Sequence, residues 1–300
     1  MMKYDAYLYG MILITNSFLL KGNYPEADTY GEIDKKFILP GGETGTCATV
    51  LASLGCNVVM DGTYMGNNTY PRINEFYQGK TVDTSRLFLD QSFDGLEDYV
   101  IIDKTTRTPF GSFGSYYTDG LHRWNEPLEA DILNAQVVGI DPWFQEKTDK
   151  VVQICRENKV PYVTLDCSYD SDCHRYSAIN ILSNEFLAPS YKEYDRTALF
   201  KKYTDNTDGL VIFTLGSKEI MYGRRGGKPQ LFTPYSVSVV STLGAGDSFK
   251  AGCVYALLHH MEDTSVVRFA AATAACACTV FPLPLNPPTL EKIHSFITEQ

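Results

Sequence analysis

An α/β fold, with a mostly parallel central sheet layered between helices and a small β-rich appendage, is what this 300-residue sequence predicts. Three observations carry that reading. From residue 131 onward, short apolar runs such as VVGI and LVIF alternate with helix-length segments, as strands buried on both faces require. Between 82 and 118 the pattern turns to strand-like pieces with little helix. At 241–258, STLGAGDSFKAGCVYALL, a glycine-rich turn leads into a helix.

Taken in order, residues 6–20 (AYLYGMILITNSFLL) are mostly apolar. Lys3 is the only charge before Asp5, no small-x-small cleavage site follows, and no run approaches the ~18 apolar residues that span a bilayer. The segment reads as the opening strand of a cytoplasmic domain. A second strand-like run at 36–39 ends in Pro40-Gly41-Gly42. Over Thr44–Leu54 the residues Cys47, Val50, Leu51 and Leu54 fall at i, i+3, i+4 and i+7, one apolar helix face, with Gly55 as its stop and a strand over 57–61 next. The pieces RLFLDQSF, EDYVIID and TRTPFGSFGSYY, interleaving aromatic, β-branched and polar residues, predict a small sheet exposed on one face.

Beyond 131 come AQVVGID, a helix near 147–158, then VPYVTLD, INILS and GLVIFTL, each followed by a helix or turn, and the short pieces IMYG and QLF. Ligands of such sheets bind beyond the carboxyl ends of the strands, so Asp141, Asp166, Asn184 and Thr214 fall along one rim. A strand over SVSVV and two helices, 247–260 and about 264–280, the latter alanine-rich, complete the chain. No repeat, low-complexity tract or linker divides it, so 1–300 reads as a single domain, with segments about 10–40 and 82–118 set apart as a lid.

Composition narrows the function. A net charge of −10 argues against tracking a nucleic-acid backbone, which needs a clustered basic surface. Eight cysteines without a C-x-x-C pair fit thiols in a reducing compartment better than a disulfide framework or a zinc site. An anionic ligand would therefore be held by local dipoles. The turn Thr242-Leu243-Gly244-Ala245-Gly246-Asp247 offers such dipoles: free N–H groups at a helix N-terminus and glycines that let an anion approach the backbone. Read locally, Asp247 is equally an ordinary helix cap.

The stretch STLGAGDSFKAG closely resembles the C-terminal signature of the ribokinase-like, phosphofructokinase B type family of carbohydrate kinases, D-T-x-G-A-G-D-x-F-x-x-G. Pro40-Gly41-Gly42 through Tyr64-Met65-Gly66-Asn67-Asn68 resembles the family's first signature. Ile181-Leu182-Ser183-Asn184-Glu185-Phe186 resembles its Asn-x-x-Glu strand end, and Phe213-Thr214-Leu215-Gly216-Ser217-Lys218 its nucleotide-edge turn. The resemblance implies a three-layer α/β/α kinase with a β-sheet lid, using ATP and Mg²⁺ to phosphorylate a hydroxyl of a sugar-like metabolite. Asp247 would be the general base, and Gly244, Ala245 and Gly246 the anion hole. Thr214, Gly216, Ser217 and Thr242 would meet ATP, with segment 271–280 beside the adenine. Asn184 would organise magnesium through water, with no residue as a direct metal ligand. Asn16, Gly41, Gly42, Glu43 and Arg107 would bind substrate. The lid would pair two subunits into a homodimer, and neither nucleic acid nor membrane is an expected partner.

Three departures from the pattern sharpen the expectations. Leu187 stands where the Asn-x-x-Glu glutamate belongs. Ser241 replaces the aspartate that opens the signature as a monovalent-cation ligand, so little potassium dependence is expected. Glu43 takes the place of an asparagine that holds sugar hydroxyls, and it could pair with a cationic substrate such as an amine-bearing sugar derivative. The same residues leave open a vitamin or nucleoside kinase of this fold, or a binding or regulatory protein with weak turnover.

Overall fold

In the computed structural model, which describes residues 3–104, 106–118 and 122–298 and, of these, not the side chains of residues 115 and 118, thirteen strands form two sheets. In chain order they are β1 (Tyr4–Gly10), β2 (Leu13–Leu20), β3 (Ile33–Gly41), β4 (Val58–Gly62), β5 (Val82–Asp83), β6 (Glu97–Ile102), β7 (Arg107–Gly111), β8 (Ala135–Ile140), β9 (Tyr162–Leu165), β10 (Ile179–Ser183), β11 (Leu210–Thr214), β12 (Ile220–Gly223) and β13 (Gln230–Phe232). The large sheet runs β13-β12-β11-β10-β9-β8-β1-β4-β5. It is parallel from β11 through to β5, with β12 and β13 added antiparallel at one edge.

Both faces of this sheet are covered, which is why the apolar runs are continuous rather than alternating. On one side, Ala6, Leu8, Val137, Val163, Ile181 and Ile212 pack with the helices Glu43–Ser53, Ala245–Leu258 and Asp263–Cys278. Residues of opposite parity on the inner strands, Tyr7, Tyr9, Val138 and Tyr162, face a second cluster with the helix Gln145–Asn158. The alanine-rich helix serves close packing: a Cβ on Gly252 would lie 2.6 Å from the Ala270 backbone.

The first apolar run is not one strand. The chain leaves the large sheet at Gly10 and enters the small one at Leu13, and the intervening N–H groups are held by side chains, Met11 by Asp141 (2.8 Å) and Ile12 by Thr63 (2.9 Å). The small sheet, β3-β2-β6-β7, is antiparallel except for the β2–β6 pair. Two other expectations need correction. RLFLDQSF contributes only a single bridge between Met65 and Leu89, because Asp90 turns the chain by accepting the Ser92 N–H (2.9 Å). SVSVV forms no strand; it runs beside the end of the alanine-rich helix, where Val240 N–H donates to the Cys278 carbonyl at 2.8 Å. The piece TRTPFGSFGSYY divides into β7 and a short helix, Phe113–Thr118. Among the described residues no helix is long and apolar enough to cross a membrane, and all eight cysteines are free thiols.

Candidate active site

Two helix N-termini converge beyond the carboxyl ends of the central strands. The helix Glu43–Ser53 starts from Gly42, at φ +78°, where a Cβ would sit 2.5 Å from the Met11 carbonyl oxygen. The helix Ala245–Leu258 starts from Gly244, at φ +80°, where a Cβ would come within 2.6 Å of Leu283 and 3.1 Å of Thr46. Only glycine meets both the left-handed conformation and the close approach at these positions. Each helix carries a carboxylate in its first turn, Glu43 on one and Asp247 on the other, where the helix dipole favours negative charge.

Beneath them lies a buried ion pair. Asp141, at the end of β8, is fully buried; it accepts from the Met11 N–H and the Thr44 hydroxyl (2.8 Å each) and pairs with Lys250, one turn along the helix from Asp247. There is room for it because β1 ends in glycine: a Cβ on Gly10 would overlap the Asp141 carboxylate at 1.9 Å. Burial, and then the Asp141 charge, push Asp247 up to about 7, against the opposing pull of Lys250, Arg107 and the Thr46 hydroxyl. Burial and the neighbouring Asp141 and Asp247 carboxylates push Glu43 up to about 8.

The turn before Asp247 presents unused donors. The N–H groups of Gly244, Gly246 and Asp247 meet no protein acceptor among the described residues. Ala245 differs from expectation: its N–H donates to the Thr242 carbonyl at 3.2 Å and is not free to meet an anion. Ser241 is buried and accepts the Leu243 N–H (3.2 Å), fixing the turn without a charge.

Asp166, Asn184 and Thr214 do lie along one rim with Asp141, at the ends of the adjacent strands β9, β10 and β11. Asn184 is exposed, and the cap of its helix is Ser183, which accepts the Phe186 N–H at 3.1 Å. Asp166 accepts the Ser183 N–H and hydroxyl (2.7 and 2.9 Å) and is pushed by burial to about 6. Leu187 is fully buried among apolar side chains, so the departure at that position is structural. Gly216, at φ +66°, turns the chain after β11 and leaves Ser217 exposed.

Two substrate assignments move. Arg107 donates to the Thr242 carbonyl (2.8 Å) and the Glu185 carboxylate (3.2 Å) and does not line the main cleft. Asn16 turns away from that cleft and donates to Glu97 at 2.8 Å, because along β2 it is the flanking Thr15 and Ser17 that face the cavity. The cleft, about 370 Å³, does bring together Gly41, Gly42, Glu43, Gly244 and Asp247. Thr214, Gly216, Ser217 and Thr242 lie outside its lining, and of these Thr242 accepts from Arg107. Its walls also include Asp98, Phe113, Tyr117 and Trp143, which the sequence reading did not assign. A lysine inside the apolar face of FKAGCVYA was a readable sign that Lys250 has a buried partner; Asp98 and Trp143 had no such sign.

Comparison with known proteins places this architecture. The pfkB family carbohydrate kinase model matches residues 38–283. The chain therefore belongs to the pfkB family of carbohydrate kinases, phosphotransferases with an alcohol group as acceptor. It is 20% identical over 291 residues to a 5-dehydro-2-deoxygluconokinase of Clostridium botulinum, covering 89% of this chain and 85% of that one. It is 34% identical over 107 residues to an uncharacterized sugar kinase of Dictyostelium discoideum, covering 33% of this chain and only 28% of that protein. Its fold matches that of Arabidopsis thaliana ribokinase, solved with ribose and ATP, with a TM-score of 0.80 over 98% of both chains at 17% identity.

Proposed function

We propose that this chain transfers the γ-phosphoryl group of ATP to a hydroxyl of a small sugar or sugar-like metabolite. The observation that carries the reading is the position of Asp247, which lines the acceptor cleft while its own N–H and those of Gly244 and Gly246 are unpaired among the described residues. Asp247 takes the proton from the attacking hydroxyl, the hydroxyl oxygen bonds to the γ-phosphorus, and the bond to the β,γ-bridging oxygen breaks to release ADP. The three N–H groups and the helix dipole stabilise charge on the transferring group, with Arg107 close by. The four-stranded sheet then acts as the lid that excludes water, its Arg107 tying it to the phosphate end.

Among the described residues no three His, Cys, Asp or Glu side chains form a metal cage. Asn184 and Glu185, oxygen donors at the strand ends, and Asp166 behind them fit Mg²⁺ held through water. When bound on the phosphates, Mg²⁺ neutralises charge that the protein alone meets with dipoles and Arg107.

The test is ATP consumption by the purified protein across sugars, amino sugars, sugar acids, nucleosides and pyridoxal. ADP formation that depends on a sugar-like acceptor is expected; turnover confined to nucleosides or pyridoxal, or none at all, overturns the reading. Since Asp247 must be ionised and is held near pH 7, kcat/KM should fall about tenfold per unit below pH 7 and level off above pH 8. A flat profile from pH 5.5 to 8 removes Asp247 as the base. With the neutral Ser241 in the cation position, activity should be equal in potassium-containing and potassium-free buffer; a strong potassium requirement refutes this.

A further inference from the structure

We propose that the acceptor is a cationic polyol, a sugar-like molecule bearing an ammonium group, which Glu43, Asp98 and Trp143 select. This rests on the kinase reading above and names the substrate class of the same cleft.

The lining of the cleft is one-signed. Glu43, Asp98 and Asp247 face it, and no lysine, arginine or histidine lines it among the described residues. The nearby cations are committed elsewhere: Lys250 lies beneath the floor against Asp141, and Arg107 holds Thr242 and Glu185 at the phosphate end. Charge in the site is therefore polarised, with donors and Arg107 where phosphate belongs and carboxyl groups without a cationic partner where the acceptor sits. An anionic acceptor would meet repulsion there, whereas an ammonium supplies the missing counter-charge.

The carboxylates are placed for direct contact. One oxygen of Asp98 is buried with no hydrogen-bond partner, although β6 pairs this residue with Thr15 on the cleft wall. A buried carboxylate oxygen left unpaired is costly unless a ligand donor meets it. Burial moves the Asp98 carboxyl up to about 6, and Glu43 higher still, as expected for acids that lack a cation in the free protein. Glu43 also lies near Tyr117, whose phenol is kept protonated by burial and then by that neighbouring carboxyl. The remaining wall is aromatic. Trp143, half-buried against the core, also lines this wall, and an indole is the side chain best suited to contact with a cation. A neutral polyol could hydrogen-bond to these groups, but only an ammonium would draw Glu43 into its ionised form and balance the Asp98 charge.

The experiment uses matched pairs: glucose against glucosamine, and fructose against 1-amino-1-deoxyfructose, with gluconate as the anionic arm. Phosphoryl transfer from ATP is measured for each with the full-length protein at pH 7.5. The amine member should be preferred by about tenfold to a hundredfold in kcat/KM in at least one pair, as a charge-assisted contact confers, and gluconate should react least. Added salt should narrow the preference. Glu43→Gln and Asp98→Asn should each reduce it, chiefly by raising KM for the amine. Equal or better turnover of the neutral members, or preference for gluconate, overturns the inference while leaving the kinase intact. No transfer to any acceptor overturns the kinase reading and this one with it. Should a variant fold poorly, the wild-type selectivity alone decides.

Discussion

Replacing Asp247 with asparagine should lower kcat by about 10²-fold or more, the scale of a lost general base, while leaving the affinity for ATP close to that of the wild type. Asparagine keeps the shape of the side chain but cannot take a proton from the acceptor hydroxyl. The N–H groups of Gly244, Gly246 and residue 247 itself belong to the backbone, so the proposed anion site survives the change. The acid limb of the pH profile should vanish with the carboxylate. Nucleotide binding by calorimetry, set beside steady-state turnover, checks both halves. A variant that keeps more than half the wild-type kcat would show that the base lies elsewhere, and one that no longer binds ATP would assign Asp247 to the nucleotide site.

The second large effect concerns stability. Lys250→Met strands the Asp141 carboxylate at 0% exposure, with the Met11 N–H and the Thr44 hydroxyl as its remaining partners. Breaking one side of a buried ion pair costs about 3–5 kcal/mol, because a charge remains in a medium that cannot solvate it. The pair also ties the Asp247 helix to the end of β8 and, through Thr44, to the start of the Glu43 helix. Its loss should loosen the two N-termini that frame the cleft, lowering activity together with stability. Asp141→Asn added to Lys250→Met removes the orphaned charge, so the double variant should recover most of the stability lost in the single one. Denaturant titrations of the two singles and the double measure the coupling directly. A cost below about 1 kcal/mol for Lys250→Met would mean that Asp141 takes up a proton readily and that the pair is not what fixes the helix.

Periodicity made most of the large sheet legible. The helix at Cys47, Val50, Leu51 and Leu54 and the strands over VVGI and LVIF stand close to where the pattern puts them, since burial on both faces leaves few alternatives. Reading was weakest where polar side chains, rather than repeated backbone ladders, fix the chain. The break at Met11 and Ile12 depends on Asp141 and Thr63, residues more than fifty positions away. SVSVV has strand composition but no neighbouring strand to pair with, and composition cannot report a missing partner.

The candidate site divides the same way. By itself the sequence determined the α/β class, the glycine turn and the aspartate placed at its helix start, because these are local consequences of φ, helix ends and apolar period. Only the tertiary structure decided that Ala245's amide is taken by Thr242, that Asn16 faces away while Thr15 and Ser17 face the cleft, and that Arg107 bonds Thr242 and Glu185 outside it. It alone decided that Lys250 pairs with Asp141 and that, among the described residues, no cation lines the cleft. The physical reason is that charge balance and cavity shape are sums over residues distant in the chain, and those sums exist only once the strands and helices have brought their ends together.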